Sequence, residues 1–233
     1  MGKTQYSNAP TTHSQTTSPQ ATTSTSEKTS ESETQKPTKE STTSNSNPNH
    51  SSARGVFDEP TRGPVPFSNK GTLIVFEDPS CPNCLHFEKE TYPKLKRNYI
   101  DKGDLSLVYR SFPVVEKWGV DATHALEAVY LKNEQSFWNL KKYYFDNQDQ
   151  FDTDNIFDKT KRYLEKNTSL NGEEIIRNAE SKAVKANINE DLTVGKRAGI
   201  RGTPTFFAFR SERYITEIIG RQSYSIFKNV LGL

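Results

Sequence analysis

The segment Cys81-Pro82-Asn83-Cys84 contains the only two cysteines of the 233-residue chain. The apolar run Leu73-Ile74-Val75-Phe76 precedes it, and a stretch of helix-forming residues follows it directly. Two thiols three residues apart at the first turn of a helix can close a small disulfide ring, and the positive end of the helix dipole stabilises a thiolate there. The spacing therefore indicates thiols that attack the disulfides of other molecules.

The chain has two compositionally different parts. Residues 1–54 are rich in Ser and Thr and contain no Ile, Leu, Val, Phe or Trp. Such a segment cannot bury enough apolar surface to offset the roughly 1–2 kcal/mol per residue that backbone ordering costs, so we predict a disordered segment. Residues 55–233 carry nearly all the aliphatic and aromatic side chains, and they are numerous enough for one globular domain.

Charge and hydropathy exclude several classes of partner. The formal net charge is only +2 and no basic stripe is present, so we expect no nucleic-acid partner. No run approaches the ~18 apolar residues of a membrane span. The opening residues also lack the apolar centre of a secretory signal, which taken literally indicates a cytoplasmic protein.

The composition of residues 1–54 favours a different location. A Ser/Thr-rich stretch with interspersed prolines is typical of a stalk that holds a domain away from a cell surface. We therefore expect an extracytoplasmic, membrane-anchored protein whose N-terminal anchor or signal is absent from this sequence or is removed by processing. An inert tail on a cytoplasmic protein is the alternative.

Hydrophobic periodicity divides the rest of the chain into a strand–helix–strand unit, an all-helical block and a closing hairpin with a helix. Ser80 is placed to cap the first helix. The first unit comprises strand Thr72–Glu77, a helix from Cys81 to about Tyr99, and strand Leu105–Phe112. The helical block at about 116–198 comprises Ala122–Leu131, Glu134–Phe145, Thr153–Glu165 and Glu173 to about Arg197, broken near Ser181. The closing part comprises strands Pro204–Arg210 and Tyr214–Gly220 and helix Ser223–Val230.

Two distant segments give the chain a specific resemblance. Residues 76–84, Phe-Glu-Asp-Pro-Ser-Cys-Pro-Asn-Cys, and residues 199–207, Gly-Ile-Arg-Gly-Thr-Pro-Thr-Phe-Phe, resemble the two signature segments of the DsbA/BdbD family of disulfide oxidoreductases. Tyr92-Pro93-Lys94-Leu95 and Ser136-Phe137-Trp138 are similar to that family too. The resemblance covers nearly everything from about residue 60 onward. It implies an α/β, thioredoxin-like fold with an all-helical insertion between the βαβ and ββα halves.

The resemblance also implies the roles of several residues. Cys81, nearer solvent, would be the nucleophile, and Cys84, one turn deeper, its partner in a redox-active disulfide. Pro204 would be a cis-proline beside the thiols, and Thr203 would present its backbone to an extended substrate. A trans proline that opens an edge strand is the alternative for Pro204.

Three positions bear on redox tuning and proton transfer. Pro82 and Asn83 lie between the cysteines, and Asn83 replaces the histidine of DsbA proteins, so we expect a potential less oxidising than that of the strongest oxidants. Glu88 stands where DsbA-like proteins have an acid, which could guide protons or could be a plain surface residue.

A further position departs from the family pattern. The buried carboxylate that thioredoxins and many oxidases place six residues before the first cysteine is replaced by Val75. This weakly favours oxidation over reduction, unless Glu77, on the same strand face, or Asp78 substitutes.

The sequence thus predicts an enzyme that oxidises dithiols of exported proteins. Cysteine-containing substrate proteins are the expected partners, and the family implies reoxidation by a membrane quinone-linked oxidase of the DsbB/BdbC or VKOR-like type. No dissociable cofactor is expected, because the disulfide carries the electrons. A thioredoxin-like reductase or isomerase is the first alternative. The second alternative is not an enzyme: a non-catalytic surface binding module, or a zinc site. A closed zinc site needs four ligands, so two cysteines would have to recruit His86 and His124 or a second chain.

Overall fold

The computed structural model describes residues 48–233, and its centre is a five-stranded sheet in the order β1-β3-β2-β4-β5. Strand β2 pairs in parallel with β3 and antiparallel with β4, and β4 and β5 form a hairpin. The strands are β1 (Thr61–Arg62), β2 (Gly71–Glu77), β3 (Leu105–Ser111), β4 (Thr205–Arg210) and β5 (Arg213–Ile219). This arrangement confirms the predicted α/β fold, in which a helical insertion separates the two sheet-forming parts.

The helix that follows β2 has the predicted extent but not the predicted regularity. It consists of α1 (Pro82–His86), a π-helical turn (Phe87–Thr91), α2 (Tyr92–Leu95) and a second π-helical turn (Lys96–Ile100). Pro93 explains part of the irregularity, because it has no N–H to donate to the preceding turn. Phe87 and Leu95 anchor the helix on the sheet, where Phe87 packs on Phe206 of β4.

The helical insertion builds an apolar core of its own around residues such as Leu126, Tyr144 and Ile188. Ser181 breaks its last segment as expected, since its side chain accepts a hydrogen bond from the Val184 N–H and caps the following helix. The insertion comprises α3 (Lys117–Tyr130), α4 (Glu134–Asp146), α5 (Ile156–Asn167), α6 (Gly172–Ala179) and α7 (Lys182–Arg197), and α8 (Tyr224–Leu231) closes the chain. Within residues 48–233, none of these helices is long and apolar enough to cross a membrane.

The folded part begins before the boundary at residues 54 and 55 that composition suggested. Ala53 is fully buried, and the His50 ring stacks on Tyr214 of β5 with ring centres 4.0 Å apart. The buried guanidinium of Arg110 donates to the carbonyl of Arg54 and to Asp191 of α7. These contacts depend on aromatic and charged groups far along the chain, so the composition of residues 1–54 alone does not predict them. Residues 1–47 of the expected stalk lie outside the described residues.

The insertion is attached to the loop that leads into Cys81. One Asp78 oxygen accepts hydrogen bonds from the Ser80 N–H (2.8 Å) and hydroxyl (2.6 Å), and the other accepts from the N–H groups of Val114 and Val115. The Ser80 hydroxyl in turn accepts from the Glu116 N–H. The predicted capping role of Ser80 is therefore wrong, because the nearer Asp78 carboxylate takes its hydroxyl.

Gly119, in the first turn of α3, makes this close attachment possible, and we predict that Gly119→Ala is destabilising. An added Cβ would lie 2.4 Å from both Asp78 Oδ1 and Ser80 Oγ, so the helix or the loop must move. Overpacking of this kind costs about 1–3 kcal/mol. Urea unfolding should show a loss of that size.

The matched control is Gly202→Ala, because a Cβ at Gly202 meets no atom within 4 Å. That change should alter the free energy of unfolding by no more than about 0.5 kcal/mol. Equal losses in the two variants would contradict the proposed role of Gly119.

Candidate active site

The two cysteines lie at the start of α1, as the sequence predicts. Cys81 is the N-cap residue, Pro82 opens the helix, and both cysteines are free thiols in the structure. Pro82 and Asn83 between them are exposed. Cys81 is the more accessible cysteine, but only 3% of it is exposed against 0% of Cys84. Cys81 is thus the cysteine nearer to solvent, as expected, although both cysteines are buried. Residues from elsewhere in the fold, including Phe145 of α4, pack around the pair.

The segment carrying Thr203 and Pro204 lies directly against the first thiol. Cys81 Sγ donates to the Thr203 carbonyl at 3.1 Å, although 122 positions separate the two residues. The sheet register produces this contact, because β4 runs antiparallel to β2 and pairs Thr205 with Phe76. The Thr203–Pro204 peptide is cis. The Thr203 hydroxyl is buried and has no hydrogen-bond partner within the described part of the chain.

The two thiols have opposite acidities. The pKa of Cys81 is lowered from 9 to about 6, chiefly because the Cys84 thiol hydrogen-bonds to the thiolate. Burial opposes this shift, while the side chain of Thr203 and the N–H groups of Asn83 and Cys84 support it. The pKa of Cys84 is raised well above its ordinary value by burial, by its hydrogen bond to Cys81 and by the charge of Glu77. One thiol therefore ionises readily and the other holds its proton.

A buried acidic cluster adjoins the thiols, and we call Glu77, Lys141 and Glu88 the Lys141 cluster. Lys141 Nζ lies 2.7 Å from Glu77 Oε2 and 2.7 Å from Glu88 Oε1, and all three side chains are at least nine-tenths buried. Burial raises the pKa of Glu77 to about 8, although Lys141 acts in the opposite direction. The two carboxylates outweigh burial at Lys141, and its pKa is raised. Glu77 thus supplies the buried carboxyl that Val75 does not.

Asp78, the other candidate substitute, is also buried, but its carboxylate is fully engaged in local hydrogen bonds. Both its oxygens accept hydrogen bonds from the loop and from the segment after β3. Glu88 is not a plain surface residue, since only 9% of its side chain is exposed and it pairs with Lys141.

Comparison with known proteins agrees with this geometry. A family model described as Thioredoxin matches residues 68–216, well over half of the chain. The chain belongs to the thioredoxin family. Disulfide bond formation protein D of Bacillus subtilis is 25% identical over 137 residues, which cover 58% of this chain and 62% of that protein. The chain thus matches less than two thirds of the length of this relative.

Solved structures extend the likeness within the thioredoxin family. The α-DsbA1 protein of Wolbachia pipientis superposes with a TM-score of 0.63 at 21% identity, covering 75% of this chain and 89% of that one. Oxidised BdbD of Bacillus subtilis gives a TM-score of 0.63 at 22% identity, covering 75% and 91%. These similarities establish a shared fold.

Sequence reasoning missed two residues of this thioredoxin-family site. The spacing in the sequence could have identified Lys141, because it lies on the buried face of α4 between Phe137 and Phe145, one turn away on either side. No sequence pattern identifies Gln148, since it lies in a short polar turn after α4. Its Nε2 donates to the carbonyls of Pro79 (2.8 Å) and Cys81 (3.1 Å), and so it holds the cysteine loop to the insertion.

The two histidines considered as zinc ligands each contact other groups. His86 Nδ1 is 3.2 Å from Glu90 Oε1, and His124 Nδ1 is 3.1 Å from the Ala179 carbonyl. From residue 48 onward, no group of three or more His, Cys, Asp and Glu side chains is arranged to hold a metal ion.

The Cys81 pKa gives a direct prediction. Thiolate absorbance at about 240 nm should rise with pH through a midpoint of about 6 in the reduced protein, because the thiolate forms above its pKa. Cys81→Ser should abolish that transition.

The cause of the low pKa is tested by a matched pair at the second cysteine. Cys84→Ala removes the hydrogen-bond donor, so the midpoint should rise by roughly one unit or more, whereas Cys84→Ser retains a donor and should leave it near 6. A midpoint near 9 in the unmodified protein would show that nothing in the site stabilises the thiolate.

Proposed function

We propose that the protein is a thiol–disulfide oxidoreductase that oxidises dithiols of exported proteins outside the cytoplasm. The observation that carries this proposal is the acidic Cys81 thiol at the tip of α1, in contact with the Thr203 carbonyl at 3.1 Å. The name of the relative from Bacillus subtilis, disulfide bond formation protein D, supports the same reaction class. Such an exchange is faster when the leaving thiol has a low pKa, as Cys81 has.

The proposed reaction begins with the Cys81–Cys84 disulfide. A substrate thiolate attacks Cys81 Sγ, the bond between the two cysteines breaks, and its electron pair passes to Cys84. A second substrate thiolate then attacks the substrate sulfur of the mixed disulfide and displaces the Cys81 thiolate. The substrate loses two electrons and becomes a disulfide, while the protein becomes the dithiol. The low pKa of Cys81 makes it a good leaving group in this last step.

Proton transfer in this scheme involves the Lys141 cluster. The thiolate left on Cys84 in the first step takes up a proton, because its pKa is raised. Glu77 can supply that proton, because burial raises the pKa of its carboxyl. During reoxidation Cys84 must lose the proton, and Glu77 can then accept it. Lys141 holds the Glu77 carboxyl in place throughout.

The direction of the reaction follows from the stability of the reduced form. A thiolate of low pKa stabilises the dithiol state and so favours the oxidation of substrates. Glu77 also supports the alternative of a reductase or isomerase, because a buried carboxyl beside the second thiol assists reduction as well. The missing acid at Val75 therefore no longer argues against a reductase or isomerase.

The proposal has consequences for partners and location. Cysteine-containing proteins are the substrates, and a disulfide donor persists where the surroundings are oxidising, which favours a site outside the cytoplasm. Each turnover leaves two electrons on the protein, so an acceptor must remove them. We assign this role to a membrane quinone-linked oxidase, with the domain held near the membrane through its N-terminal segment.

The role of Glu77 is tested by Glu77→Gln, which should slow the oxidation of a reduced two-cysteine peptide. General acid–base catalysis contributes at least about 10²-fold, and we expect a loss of roughly that size in stopped-flow measurements. Glu88→Gln is the matched control, because it also removes a carboxylate from Lys141 but not the group whose charge acts on Cys84. Equal rates in the two variants would exclude proton transfer by Glu77.

The direction is tested by equilibrating the protein with reduced and oxidised glutathione. We expect a potential less negative than about −200 mV, between the values typical of thioredoxin (about −270 mV) and of the strongest oxidants (about −120 mV). Peptide oxidation should be lost in Cys81→Ser. A potential near that of thioredoxin would instead establish a reductase.

A further inference from the structure

A partly open cavity separate from the thiols lies between α4 and the helix that carries the cysteines. Its volume is about 360 Å³, which is within the range of small-molecule sites. Tyr92, Trp138 and Phe145 give it aromatic walls. Neither cysteine lines it, nor does Pro204. The cavity is therefore distinct from the surface at which a disulfide would be exchanged.

One wall of the cavity contains two buried donors that lack an acceptor. Trp138 is 6% exposed, and its Nε1 has no hydrogen-bond partner among residues 48–233. The Nε of Arg62 is likewise buried and unpartnered within that range. The two groups are neighbours, because the Arg62 guanidinium carbon lies 4.9 Å from the centre of the Trp138 ring. Both nitrogens can only donate, and an unsatisfied buried donor costs about 1–3 kcal/mol.

The charges around the cavity also favour an anion. Five cationic residues and two carboxylates line it: Arg62, Lys89, Lys96, Lys141 and Lys142, with Glu88 and Asp146. Lys89 and Lys142 share Asp146, and Lys141 pairs with Glu88. Arg62 donates to the neutral amide of Gln135 and makes no ion pair with a carboxylate in the described part of the chain. Lys96 pairs with Asp101, so among these five cations the charge of Arg62 is the one left for a ligand to pair with.

We propose that this cavity binds a small carboxylate that carries a flat apolar group, such as an arylacetate. The carboxylate accepts hydrogen bonds from Arg62 and from Trp138 Nε1, and the ring packs against Tyr92 and Phe145. An arginine fork suits a carboxylate, and buried charge-assisted hydrogen bonds are the stronger kind. The site does not depend on the redox reaction, since none of its ligand contacts involves a thiol.

Titration with phenylacetate, followed by the indole N–H signals of the ¹⁵N-labelled protein, tests the proposal. The chain has only two tryptophans, so Trp118→Phe assigns the Trp138 signal. We expect that signal to shift and saturate. Phenylacetamide, which has the same shape without the charge, should bind at least about 10-fold more weakly, because the charged interaction is lost.

Arg62→Gln should weaken phenylacetate binding by about 10-fold or more, whereas Arg97→Gln, an exposed arginine outside the cavity, should leave it unchanged. Unshifted amide signals elsewhere in the spectrum will show that each variant is folded. The proposal is overturned if Trp138 shows no saturable shift, if the amide binds as tightly as the acid, or if Arg62→Gln has no effect. The comparison of acid and amide stands even if Arg62→Gln does not fold.

Discussion

The buried ammonium of Lys141 is the interaction on which this site depends. It joins three elements that are remote in sequence: Glu77 at the end of β2, Glu88 in the turn after α1, and α4 of the insertion. An ammonium without water must keep its carboxylates, and removing one partner of a buried pair typically costs about 3–5 kcal/mol. Aromatic rings also surround Nζ, with those of Tyr109 and Phe145 each 5.2 Å away. The cluster therefore fixes the insertion on the sheet and on the cysteine-bearing helix together.

The insertion is also part of the active site, because it contacts the loop that carries Cys81. It reaches the cysteine loop from two directions, through Gln148, which bonds to the Cys81 carbonyl, and through α3, whose Gly119 packs on Ser80. The loop has little regular structure of its own, and outside groups satisfy its polar atoms. The position of Cys81 relative to Thr203 therefore depends on contacts from both halves of the fold and from the insertion between them.

The same environment separates the two thiols chemically. Cys81, at the helix tip, receives hydrogen bonds that stabilise its anion, whereas Cys84 one turn later is fully buried beside the carboxyl of Glu77. Identical side chains three residues apart thus acquire opposite tendencies. The cavity on the other side of the cluster shares Lys141, so its charges are connected with those that act on Glu77.

Short-range patterns in the chain are sufficient to predict the local features of this protein. The cysteine pair at the start of a helix, the strands on either side and the helical block between the sheet-forming parts follow from periodicity and spacing, which are properties of short segments. Even the break at Ser181 was predictable, because helix capping is local.

Other features arise only when groups from several distant segments pack together. These features are the low exposure of Cys81, the use of Glu77 in place of Val75, the hydrogen bond that takes Ser80 away from the helix, and the early start of the folded part near His50. Burial and charge at a residue depend on neighbours that arrive only when distant segments pack together. No local pattern specifies those neighbours, and so only the folded chain shows which carboxyl lies beneath the thiols.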